Sequence, residues 1–161
     1  VRQILNAGQN DKIYLVHNIW FERADEIPIE NYHRGQILPA GTEVDVNDYN
    51  SEEILFSDKS GKKYTVAYNE QRTMTPVKTY IPELFCKINP LNGIDEGTVF
   101  IIKKGEVRKG MTKKEVIMSW GNPMSHRTQQ KEINNTWIYW NEEHKSKRVI
   151  FKNEKVLEVI E

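Results

Sequence analysis

Residues 112–123 confine one part of this chain more tightly than any other. Thr112 followed three residues later by Glu115 is a capping box, in which each side chain satisfies a free backbone N–H of the first helical turn. Val116, Ile117 and Trp120 form an apolar stripe at helical spacing. Gly121 can adopt the conformation that ends a helix, and Pro123 blocks continuation. Start, stripe and stop agree on a short helix from Thr112 to Trp120.

Downstream the period changes to two. Thr136 to Trp140 is aromatic and β-branched, as suits a half-buried pleated surface. Val149 to Lys152 and Lys155 to Ile160 are two further runs joined by Asn153-Glu154, a two-residue hairpin candidate. Glu154 departs from the favoured Asn-Gly pair and leaves the turn type open. Ser125 to Lys131 reads as an edge-like strand or an extended loop. The expectation is one or two helices on a three-stranded antiparallel meander, an α+β arrangement. Alternation puts Trp137 and Tyr139 beneath the helix with Val116, Trp120, Val149 and Phe151. It turns Ile138, Trp140 and Ile150 to the opposite face, a candidate contact surface. The N-terminal half, a second copy or a separate partner could cover that face.

The "GMTxxEV" of Gly110 to Val116, the "GxP" of Gly121 to Pro123, the "WxY" of Trp137 to Tyr139 and the "VxFxxxKV" of Val149 to Val156 together resemble the SmpA/OmlA family. That family includes the small lipoprotein of the outer-membrane β-barrel assembly machine. Its fold is similar to each half of the β-lactamase-inhibitor protein. The resemblance implies an adaptor in the bacterial envelope, exported to the periplasmic face, and not an enzyme. Relatives are typically lipoproteins anchored through an N-terminal Cys, so an anchor here would lie upstream of Val1. A chain beginning at Val is what removal of a signal peptide, or trimming, leaves.

The first half reads as a different unit, residues 1–88, with a boundary between Asn89 and Gly97 where Pro, Gly and Asn cluster. Ile13 to Phe21 reads as a long apolar strand interrupted by His17 and Asn18. Leu38 to Val46 gives a turn and then clean alternation. Glu53 to Ser57 and Lys63 to Tyr68 form a hairpin through Asp58 to Gly61. Thr79 to Lys87 is expected to close the unit as a helical turn, with Tyr80, Leu84 and Phe85 inward. Short strands between turn signals suggest a small barrel. The "LPxGTxVxV" stretch from Leu38 to Val46 resembles bacterial SH3-like domains. The expected architecture is an all-β, SH3-like barrel followed by the α+β unit of residues 98–161.

Chemistry is sparse. Charge balances at 23 basic against 23 acidic residues, where a nucleic-acid protein usually shows a basic excess. Lys103 to Lys114 is locally basic but flanks a helix start, as a solvated face does. No apolar run approaches the roughly 20 residues of a membrane span. His17, His33, His126 and His144 are far apart, without ligand spacing for a metal. The adjacent acids Asp25-Glu26, Glu52-Glu53 and Glu142-Glu143 point apart on a helix or strand and make no catalytic dyad. Cys86, the sole cysteine, lies in an apolar segment and reads as buried filler. There is no nucleophile elbow, phosphate loop or CxxC, and no cofactor is implied. Tyr32, His33 and Arg34 place a base and a cation together as a candidate ligand loop. Three function classes follow: a protein-binding envelope module, a small-molecule or cell-wall ligand binder using the N-terminal barrel, and an inhibitor of a secreted enzyme.

Overall fold

A computed structural model describes residues 1–140 and 145–161. Glu142, Glu143 and His144, named above, lie outside the described residues. In chain order the elements are β1 (Ile13–Leu15), β2 (Ile19–Phe21), β3 (Ile27–Pro28), β4 (Gln36–Leu38), β5 (Glu43–Tyr49), β6 (Glu53–Asp58), β7 (Lys63–Ala67), α1 (Glu70–Thr73), α2 (Val77–Leu84), β8 (Phe85–Cys86), α3 (Glu96–Lys103), α4 (Lys113–Trp120), β9 (Thr136–Trp140), β10 (Ser146–Lys152) and β11 (Lys155–Ile160). The fold is α+β: mostly strands, four short helices and a curled half-barrel.

Six strands form one sheet in the order β3-β7-β6-β5-β1-β8, antiparallel except for the parallel pair β3 and β7. The long strand expected from Ile13 to Phe21 is instead two strands, because Asn18 is drawn into hydrogen bonds with the other half of the chain, while His17 bonds the adjacent Asn18 carbonyl. After that break β2 leaves the sheet and pairs with β4 in a ribbon of its own. The hairpin of β6 and β7 forms as read, with Gly61 at φ +90°. The closing helix starts at Val77 and ends at Leu84, and Phe85–Cys86 then pairs with β1 as β8. Tyr80, Leu84 and Phe85 are buried as expected. The one-turn helix α1, capped by Asn69, was not legible as a helix.

Asn89 to Ile94 connects this region to α3. Gly97 belongs to the first turn of α3, where the Asp95 carboxylate accepts from the Thr98 N–H at 3.0 Å. Leu91 and Ile94 pack on the second of two apolar clusters. The first cluster gathers residues from Ile13 to Phe85, and the second runs from Ile102 to Val156 with Ala40 added from the N-terminal half.

In the second cluster the capping box of α4 is complete: Thr112 Oγ1 accepts from Glu115 N–H, and Glu115 accepts from Thr112 N–H at 3.0 Å. Strands β9, β10 and β11 form the antiparallel sheet in the order β11-β10-β9. Trp137, Tyr139, Val149 and Phe151 point to the helix side and are almost fully buried. The Trp137 and Phe151 rings meet edge to face at 4.7 Å, and the Trp137 N–H donates to the Lys131 carbonyl. Ser125 to Lys131 is a run of turns and not a strand. It nonetheless closes the edge of β9, because Met124 N–H and Thr128 Oγ1 bond to the Ile138 carbonyl and N–H.

The hairpin joining β10 and β11 turns on Asn153 and Glu154, with φ +52° and +65°. Two left-handed central residues are what a type I′ turn requires, and Glu is poorly suited to the second. Lys113 lies 3.5 Å from the exposed Glu154 carboxylate, a contact worth little against that strain. Glu154→Gly should therefore raise stability by about 0.5–1 kcal/mol, seen as an increase in Tm. Trp137→Ala should cost about 3–5 kcal/mol through the cavity it leaves, measured by denaturant unfolding.

Candidate functional site

The two halves meet through buried polar groups. Asn18 is fully buried. Its side-chain N–H group donates to the Ile102 carbonyl at 2.6 Å and the Ser119 carbonyl at 3.0 Å, and its oxygen accepts from Ala40 N–H at 2.8 Å. Its backbone N–H donates to the Met118 carbonyl. Asn31 donates to the Trp120 carbonyl at 3.2 Å, and His33 Nε2 meets the same carbonyl at 3.0 Å. Two glycines make this approach possible. A Cβ on Gly121 would lie 2.8 Å from Asn31 Nδ2, and one on Gly105 would strike the Trp20 ring at 2.3 Å. Both have positive φ, so a side chain there would also strain the backbone.

The hydrogen bonds fix the tautomers. His33 must carry its proton on Nε2 to donate to Trp120, and His17 must carry its proton on Nδ1 to donate to the Asn18 carbonyl at 2.7 Å. The remaining nitrogens, His33 Nδ1 and His17 Nε2, are buried without a hydrogen-bond partner among the described residues. The His33 ring lies between Trp20, Trp120 and Tyr139, with centroids 5.0, 5.2 and 5.9 Å away. Lys147 sits 3.9 Å above the Trp120 ring. Burial first, and then the Lys147 charge, lower the His33 pKa to about 3. Burial likewise lowers that of His17, which Glu83 and Lys131 face with opposite charges. Burial thus favours the neutral form of both histidines.

The candidate ligand loop is therefore divided. His33 faces the junction, while Tyr32 and Arg34 line a surface hollow of about 230 Å³ with Trp20, Phe21, Arg23 and Pro28. Arg34 pairs with Glu22 at 3.4 Å. Tyr32 instead joins the other candidate group, its ring meeting Trp140 edge to face at 6.0 Å. The His126 and Trp140 ring centroids are 6.5 Å apart.

Ile138, Trp140 and Ile150 fall on the outer face of the three-stranded sheet and are half-buried. The register sets Ile138 beside Arg148 and Arg148 beside Ile160. A bulge between Ile150 and Phe151 leaves both Leu157 and Glu158 on the outer face, where Leu157 and Ile160 are 42% and 41% exposed. The hydrogen bonds that join the halves run to Ile102, Met118, Ser119, Trp120, Asn122 and Lys131, on or beside the helices and the loop after α4.

Among the described residues, no group of three or more His, Cys, Asp or Glu side chains could hold a metal ion, and no helix is long and apolar enough to cross a membrane. Burial raises the pKa of the Cys86 thiol, which favours the unreactive form. The sequence reading missed Asn18 and Asn31 as junction residues. The signal available was a polar pair, His17-Asn18, inside an otherwise apolar run.

Protonation tests the junction. Because His33 has a folded pKa below its ordinary 6.5, the unfolded chain binds more protons, and stability is full above pH 6.5 and falls as pH drops toward 3. His33 alone accounts for about 4 kcal/mol across that window. Chemical denaturation at stepped pH should show this decline, and His33→Phe should reduce it, leaving the part that His17 contributes. No family model, curated protein or solved structure matches the chain, so the functional reading rests on this geometry and the residues that make it.

Proposed function

We propose that this protein is a non-catalytic, envelope-associated protein-binding module, with the outer face of the β9-β10-β11 sheet as its contact surface. The observation that carries the binding part is that face: Ile138 and Ile160 flank Arg148, and Ile150 and Leu157 lie further along it beside Thr136 and Glu158, while α4 covers only the other side. Apolar side chains grouped on an exposed sheet favour a partner. Arg148 makes no ion pair among the described residues, which suits a partner that brings a carboxylate to the centre of an apolar patch.

The envelope part, and with it a periplasmic location, rests on the resemblance of residues 103–161 to the SmpA/OmlA family. On this reading residues 1–88 are an SH3-like unit that braces α4 and offers a second contact module. The buried histidines and the unreactive thiol support a role without catalysis.

Ile138→Asp and Ile150→Asp isolate the surface, whereas Trp140→Asp would also break the contact with Tyr32. The intact chain should retain a specific protein from bacterial envelope extract. Either isoleucine variant should lose it while keeping the wild-type Tm. Retention unchanged by both variants, or no retention by the intact chain, would contradict the proposal.

A further inference from the structure

A cleft of about 340 Å³ opens between the segment Thr73 to Glu83 and the segment Asn122 to Glu132, away from the sheet face. Its floor is Tyr80, buried, whose hydroxyl accepts from the Asn122 side-chain N–H at 3.4 Å. One end is closed by Lys131, whose ammonium bonds Asn122 Oδ1 at 2.6 Å and the Glu83 carboxylate at 3.1 Å. That pairing neutralises the interior, leaving Glu132 exposed at the mouth.

The two lips are strained. Met74, at φ +60°, and Gln130, at φ +49°, face the same cleft from opposite halves. The other described non-glycine residues at positive φ are three asparagines, which tolerate it, and Glu154 of the hairpin turn. Strain of this kind gathers at ligand clamps when the surroundings hold it in place. Here Tyr68 holds the first lip, its hydroxyl bonding both Thr73 Oγ1 and the Thr75 carbonyl. Met74 is nonetheless 56% exposed.

The polar lining is uncommitted. Thr79, Ser125, Gln129 and Gln130 make no side-chain hydrogen bond among the described residues. Carboxamides and hydroxyls offer donors and acceptors together, which complements the N–H and C=O of a peptide backbone. Met74 adds a flexible apolar side chain that adapts to varied partners. The volume lies at the low end for ligand sites. We propose that this cleft binds an extended, uncharged peptide segment of a few residues, with Gln129 and Gln130 holding its backbone and Met74 packing on one side chain.

The test pans a displayed library of random heptapeptides against the intact chain and measures enriched peptides by fluorescence anisotropy. Thr79→Ala and Gln130→Ala should each weaken binding about tenfold. Met74→Gly should weaken binding while raising Tm, because it relieves the left-handed backbone; a purely structural role would not separate the two. Ile150→Asp, on the sheet face, should leave peptide affinity unchanged, so this site and the sheet surface stand or fall separately. No enriched peptide, binding indifferent to all three cleft variants, or saturation by chitotriose in place of peptide would overturn the proposal.

Discussion

One buried asparagine organises this molecule. Asn18 links the carbonyls at the ends of α3 and α4 to the backbone of Ala40, with its backbone N–H on Met118 besides. A buried amide so fully bonded specifies one arrangement, since any other leaves several polar groups desolvated and unpaired. Gly105 and Gly121 complete the constraint by letting Trp20 and Asn31 approach the C-terminal backbone closely. The apolar clusters supply burial on each side, but these polar contacts fix how the two sides meet.

That junction decides which surfaces remain. It draws the N-terminal half onto the end of α4, whose Trp120 already touches Tyr139 and lies under the Lys147 ammonium. The inner face of the sheet is thereby spent on packing, and the outer face stays available apart from Trp140, which Tyr32 meets. The same docking sets the α1–α2 region opposite the loop after α4, which creates the polar cleft. The junction itself requires neutral histidines. A proton on His17 Nε2 or His33 Nδ1 would create a buried N–H donor with no acceptor among the described residues.

Local signals explain what was legible. The capping box, the helix stop and the alternation of Trp137 to Trp140 each act within a few residues, and the helix and strand register form as those residues require. The hairpin was legible in place, while its left-handed Glu154 was not, because Asn153-Glu154 carries only half of the usual turn chemistry. The break at His17-Asn18 was visible only as an interruption. Its cause lies about a hundred residues away, at Met118 and Ser119. Tyr32, His33 and Arg34 are adjacent in sequence, but His33 turns into the junction while Tyr32 and Arg34 stay in one surface hollow, and Tyr32 also meets Trp140. Side-chain partners set by tertiary docking leave no periodic trace.

Differential scanning calorimetry of the intact chain at pH 7 tests the interlocked junction most directly. A fold held together by Asn18 and its neighbours should melt in one transition, with equal calorimetric and van't Hoff enthalpies. Asn18→Ala should lower that transition by several degrees or split it in two. Two separable transitions in the unmodified chain, or an Asn18→Ala variant that melts like wild type, would contradict the account.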